Sequence, residues 1–115
     1  MTAKPLISFS KIAEEDLNFL DIDEWPDWQA QFGNHQPLKL EIGFGTGNFL
    51  IEMAAQEPRS NFIGMDFYHK GIRKLMTRKK KLQLDNIRVA YGDVRIKIPL
   101  LFKDGELETV YINFP

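Results

Sequence analysis

The sequence predicts an α/β fold in which a parallel sheet is joined by helical crossovers. From Leu38 onward, short apolar runs alternate with longer amphipathic segments. That alternation is the pattern of βα units and a parallel sheet. Directly after the first run stand three glycines at every second position, Gly43, Gly45 and Gly47. A strand, a tight glycine turn and then a helix is the arrangement that brings backbone close to a bound nucleotide.

Each element has its own signal. Residues 1–24 are mixed and acidic without a sustained period, which suits an arm or short peripheral element. Pro26 suits the first turn of a short helix that ends at Gly33-Asn34, packed beside the sheet by Trp25, Trp28 and Phe32. Leu38–Ile42 reads as the first strand. Thr46 can cap a helix to about Gln56, with Phe49, Leu50, Met53 and Ala54 on one face. Pro58 ends it. Asn61–Met65 is the second strand, closed by Asp66. A second helix runs from His69 to about Leu84, with Ile72, Leu75, Met76 and Leu82 on its apolar side. Ile87–Tyr91 is the third strand. Residues 94–103 allow at most a short helix, because Pro99 interrupts it. Asp104-Gly105 is a turn, and Thr109–Phe114 is the fourth strand. Residues 1–34 thus read as arm and short helix, and residues 35–115 as the cofactor-binding domain.

Composition closes off several functions. The 115 residues make one domain at most. The net charge of −1 gives the whole chain no electrostatic case for nucleic acid. Absence of cysteine excludes disulfides, thiol catalysis and thiolate metal sites. His35 and His69 are far apart in sequence, so no metal is expected. No apolar run is long enough to span a membrane, and Met1 to Ser10 does not read as a signal peptide. A cytoplasmic protein is expected.

The candidate site follows from acids placed among the glycines. A dinucleotide fingerprint wants Gly-x-Gly-x-x-Gly, but Asn48 holds its third position and Gly47 comes one residue early. Glu41 stands two residues before the first glycine, where methyltransferases that use S-adenosylmethionine carry an acid. A pyrophosphate seeks a bare helix N-terminus. S-adenosylmethionine instead has a cationic amino group and sulfonium, which a carboxylate suits. Asp66, at the end of the second strand, can accept both ribose hydroxyls. Asp93 follows the third strand and can accept the adenine amino group. The plainer readings are a packing turn for Gly43, Gly45 and Gly47, and a turn residue or helix cap for either aspartate.

The chain resembles the N-terminal part of bacterial tRNA (guanine-N7)-methyltransferases. The matching stretches are Leu40-Glu41-Ile42-Gly43-Phe44-Gly45-Thr46-Gly47, Asn61-Phe62-Ile63-Gly64, Lys70-Gly71-Ile72-Arg73-Lys74-Leu75, Asn86-Ile87-Arg88-Val89 and Asn113-Phe114-Pro115. Trp28 to Asn34 resembles the family's lead-in. The resemblance implies an incomplete Rossmann-like class I methyltransferase fold, with four parallel strands ordered 3-2-1-4 and helices on both faces. It also implies that Glu41, Asp66 and Asp93 contact S-adenosylmethionine. Asp66 departs from the family's usual glutamate, and Tyr68 departs from the residue expected there. In the family, Asn-Phe-Pro is followed by Asp-Pro-Trp and a basic stretch that complete the catalytic site and receive tRNA. Catalytic residues are therefore expected beyond Pro115, and the 115-residue chain alone is expected to be inactive. The fourth strand would be an exposed edge open to self-association.

Residues 70–81 hold seven basic residues and no acid. Lys70, Arg73, Lys74, Arg78 and Lys81 can share a broad helix face, with Lys70, Arg73, Lys74 and Arg78 as a candidate tRNA phosphate footprint, or the run can simply form a solvated face. Two alternative functions stand beside the methyltransferase. One is a catalytically silent S-adenosylmethionine-binding module. The other is an NAD-dependent oxidoreductase, disfavoured by Gly47 and Asn48.

Overall fold

The computed structural model describes residues 5–113. Along them run α1 (Phe9–Glu15), β1 (Phe19–Leu20), α2 (Trp28–Phe32), β2 (Leu38–Ile42), α3 (Asn48–Gln56), β3 (Asn61–Asp66), α4 (His69–Leu82), β4 (Ile87–Tyr91), α5 (Val94–Leu101) and β5 (Leu107–Ile112). The strands form one parallel sheet in the order β1-β4-β3-β2-β5. Its four longer strands keep the expected order, and β1 adds an edge that the sequence reading lacked.

Helices cover both faces, which is why β3 is buried from Asn61 through Met65. On one face Ile12 of α1, Leu50, Ile51 and Ala54 of α3, and Ile72, Leu75 and Met76 of α4 close over Phe62 and Val89. On the other, Trp28 and Leu101 close over Leu40, Ile63, Met65 and Ala90. The Trp28 indole N–H donates to the Leu101 carbonyl at 2.8 Å, so the largest core side chain leaves no polar atom stranded.

Several local expectations change. Residues 9–20 hold a helix and a two-residue strand, because the free edge of β4 pairs Phe19 with Val89 and Leu20 with Ala90. Gly47, not Thr46, caps α3, in left-handed conformation and with no side-chain bond. Trp25 lies at the surface, its indole N–H on Glu106 and the Lys103 ammonium 3.5 Å over its ring. Ile51 is buried where Phe49 and Met53 are half-buried. Leu82 is exposed. The inward place in the last turn of α4 goes to Lys79, whose ammonium donates to the Leu84 carbonyl at 2.8 Å. α5 continues through Pro99 to Leu101, closed by the Phe102 N–H on the Ile98 carbonyl. β5 begins earlier, at Leu107, and Phe114 lies outside the described residues.

Candidate functional site

In an open α/β sheet the crevice for a ligand lies at the carboxyl ends of the strands, where the strand order reverses. Here that point falls between β2 and β5, which flank each other although β3 and β4 follow β2 in the chain. The loop from Gly43 to Gly47 leaves β2 at this crevice. Its three glycines have φ of 70°, 61° and 84°, all in the left-handed region. A β-carbon would strain each of them. The loop is also pressed from outside by α4: a β-carbon at Gly71 would sit 1.9 Å from the Gly45 carbonyl oxygen.

Backbone ties knit the ends of three strands together. The Gly43 N–H donates to the Met65 carbonyl at 2.8 Å, and the Gly92 N–H to the Asp66 carbonyl at 3.3 Å. The Asp66 carboxylate closes onto the glycine loop. Its Oδ2 accepts the Gly45 N–H at 3.0 Å. Its Oδ1 accepts the N–H groups of Phe67 at 2.8 Å and Tyr68 at 3.2 Å. Phe67 and Tyr68 then project into solvent.

Glu41 is the outlier. It is 1% exposed. Its Oε2 accepts a hydrogen bond from Asn113 Nδ2, just past β5. Its Oε1 has no partner among the described residues. Burial pushes its carboxyl above the usual range, the Asn113 bond opposes that, and the nearby Asp66 charge adds to it. A buried carboxylate oxygen without a partner is costly. An ammonium reaching it would supply the missing donor.

Asp93 caps α5. Its Oδ1 accepts from the Arg95 N–H at 2.9 Å, and its Oδ2 accepts from Arg95 Nη2 at 2.9 Å. These bonds hold its carboxyl below the usual carboxylate range. Glu41, Gly43, Gly45, Gly47, Asp66 and Asp93 thus all stand at one end of the sheet, as expected from sequence. Two further contributors stand in the sequence only as members of longer motifs: Gly71, whose close approach shapes the loop, and Asn113, whose amide reaches Glu41 from the end of β5. Among the described residues no group of three or more His, Asp or Glu could hold a metal. No helix among them is long and apolar enough to cross a membrane.

The basic residues of α4 divide. Arg73 donates to the carbonyls of Ile7 at 2.9 Å and Leu6 at 3.4 Å, so it fastens the N-terminal arm. Thr77 Oγ1 accepts the Ile7 N–H beside it. Arg78 donates to Asn48 Oδ1 at the start of α3. The side chains of Lys70 and Lys74, like those of Lys80 and Lys81 further along the helix, have no hydrogen bond or ion pair among the described residues.

Comparison with known proteins follows the same outline. The family described as "Putative methyltransferase" matches residues 35–115. The chain belongs to this methyltransferase family. It is 43% identical over 100 residues to a Geobacter metallireducens protein named tRNA (guanine-N(7)-)-methyltransferase, covering 84% of this chain and 47% of that one. A Thermotoga maritima protein of the same name is 35% identical over 105 residues, covering 90% of this chain and 34% of its own length. The chain therefore spans about a third to a half of these relatives. Among solved structures, the 30S ribosomal A1408 methyltransferase from an uncultured bacterium aligns with a TM-score of 0.62 at 18% identity, over 77% of this chain and 43% of that one. The antibiotic-resistance methyltransferase Kmr aligns at 0.58 and 22% identity, over 77% and 47%. These two likenesses establish the class I methyltransferase fold.

Proposed function

We propose that these residues form the S-adenosylmethionine-binding half of an enzyme that methylates guanine N7 in tRNA. The observation that carries the cofactor is the buried Glu41 with Oε1 unpartnered beside the glycine loop. A second carboxylate, Asp66 at the end of β3, is bonded to the same loop. Glu41 suits the ammonium of S-adenosylmethionine and disfavours the pyrophosphate of NAD, whereas Asp66 suits the ribose of either. The names of the relatives carry the substrate.

Bound S-adenosylmethionine supplies a methyl group made electrophilic by its sulfonium. The chain's residues hold the molecule. Glu41 Oε1 takes the α-amino group. Asp66 takes the ribose hydroxyls. A carboxylate offers about four lone-pair positions, and three here already accept backbone N–H groups. Binding both hydroxyls therefore asks the Gly45 N–H to let go, which frees that donor for the ligand's own carboxylate. Asp93 takes the adenine amino group, and Gly43, Gly45 and Gly47 let the backbone close in. Guanine N7 carries a free lone pair, so no strong base is needed. Catalysis then rests on aligning N7 with the methyl group. Of the four candidate phosphate contacts on α4, Lys70 and Lys74 are left to meet tRNA phosphates. Among the described residues β5 has a neighbouring strand on one side alone, and its other edge is open to pairing with further strands or a second copy.

Calorimetry tests the cofactor. S-adenosylhomocysteine and S-adenosylmethionine should bind and NAD should not; NAD binding with no signal from the other two overturns the reading. The substrate is tested with these residues continued to the length of the relatives. Labelled methyl should enter unmodified tRNA and appear as N7-methylguanine, and label on another base would reject guanine N7. Charge reversal at Lys70 and Lys74 should weaken tRNA binding and flatten its salt dependence while leaving the cofactor alone.

A further inference from the structure

Asn113 and Glu41 face each other across the reversal point of the sheet. Glu41 lies on β2 and Asn113 immediately follows β5. The backbone holds them in register: Glu41 pairs with Tyr111, Ile42 with Ile112, and the Asn113 N–H reaches the Ile42 carbonyl at 3.5 Å. The Asn113 carbonyl also lies against the glycine loop, 3.4 Å from where a β-carbon on Gly43 would be. The side-chain amide of Asn113 then spans the crevice and donates to Glu41 Oε2. Glu41 has no other side-chain bond among the described residues, and its second oxygen is bare. Asn113 is thus the group that fixes which carboxylate oxygen is occupied and which is left without a partner.

We propose that Asn113 is a positioning residue for the cofactor's amino end, acting through Glu41. This rests on the reading of Glu41 as the acceptor of the ligand's α-amino group. Asn113 is exposed while Glu41 is buried, so the amide links the buried carboxylate to the protein surface. Oε2 is satisfied by a neutral donor, which leaves the full charge of the carboxylate to be met at Oε1. A ligand with an ammonium in that place gains a charge-assisted bond. A ligand without one leaves Oε1 as bare as it is now. Removing the Asn113 amide would free Glu41 to turn and would leave both buried oxygens wanting donors.

The test compares two ligands that share adenosine and differ at the amino end. S-adenosylhomocysteine carries the α-amino and carboxylate groups; 5′-methylthioadenosine carries neither. Their dissociation constants are measured by calorimetry on the wild-type chain, Asn113→Ala and Asn113→Asp, with Asn113→Ala repeated on a Glu41→Gln background. Asn113→Ala should weaken S-adenosylhomocysteine about tenfold, the scale of one hydrogen bond to a charged group, and leave methylthioadenosine unchanged. Asn113→Asp, equal in size but lacking the donor, should lose at least as much. On Glu41→Gln the Asn113→Ala loss should largely vanish. Equal weakening of both ligands would mean that Asn113 only holds the fold, and overturns the proposal. An unchanged ratio overturns it too, while leaving Glu41 as it stands. If the wild-type chain binds methylthioadenosine as tightly as S-adenosylhomocysteine, the reading of Glu41 itself falls, and this inference with it.

Discussion

The two ends of the sheet treat their polar groups differently. At the amino ends, side chains bind the chain to itself. The Asn86 amide lies within bonding distance of the carbonyls of Ala54 at 3.0 Å, Glu57 at 3.2 Å and Ser60 at 3.1 Å, so one side chain gathers the whole turn after α3. Asn61 donates to Asn34 at 2.7 Å, and Arg88 reaches the carbonyls of Asp85, Ile87 and Gln31. The unpartnered atoms there, Asn61 Oδ1 and Arg88 Nε, belong to groups already bonded through their other atoms, with no bare anion among them. At the carboxyl ends the unpartnered atom is a carboxylate oxygen, the adjoining loop holds three left-handed glycines, and Asp66 occupies backbone donors that a ligand could claim. One end is closed on itself and contributes stability. The other leaves one buried carboxylate oxygen without a partner among the described residues.

Substitutions at each end should separate these roles. The largest effect is expected at Gly71. Its β-carbon would meet a backbone oxygen, which cannot swing aside as a flexible side chain can. Gly71→Ala should cost about 3 kcal/mol of unfolding free energy in denaturant and abolish cofactor binding, since loop and helix cannot both keep their places. A variant of ordinary stability and affinity would show that the contact is not maintained in solution.

Next comes a contrast between opposite ends. Asn86→Ala should cost about 2 kcal/mol in stability, because it strips donors from part-buried carbonyls, yet leave the affinity of the folded protein unchanged. Asp66→Ala should do the reverse, weakening S-adenosylhomocysteine by roughly one to two decades with a smaller loss of stability. Should both variants lose stability and affinity together, the division between the ends is not real.

The smallest effect, and the one with a distinctive pH signature, concerns Glu41. Its carboxyl is raised in the folded protein, so folding favours the protonated form. Glu41 therefore stabilises the ligand-free fold at pH below the ordinary carboxylate range, and that contribution is lost as pH rises through the raised value. Glu41→Gln should make the ligand-free protein more stable than wild type at neutral pH, with the gain fading in acid, while S-adenosylhomocysteine binding weakens. A variant that loses stability at neutral pH would argue that the ionised Glu41 is already satisfied without a ligand.

Much of this was legible along the chain because it is local. The boundaries of β2 and β4 follow from short apolar runs between breakers. The glycine spacing announced a left-handed loop, and the strand order of the four longer strands came with the family resemblance. The positions of Glu41, Asp66 and Asp93 follow from their places at strand ends, since parallel strands must all finish on the same side. β1 was not legible. Two residues carry no period, and only the free edge of β4 makes Phe19 and Leu20 a strand. Trp25 and Trp28 look alike in sequence, but only Trp28 finds a core and a carbonyl for its N–H. The basic run of α4 did not show that Arg73 and Arg78 are spent on the arm and on Asn48 while Lys70 and Lys74 stay open. Nor could spacing reveal that Asn113, 72 residues from Glu41, takes one of its oxygens and leaves the other bare. Local sequence sets dihedral preference and apolar period, so it determined the elements and the acids that end them. Which polar atoms find partners depends on groups brought together from distant parts of the chain, so tertiary structure alone decided which buried polar atoms are satisfied and which are left without a partner among the described residues.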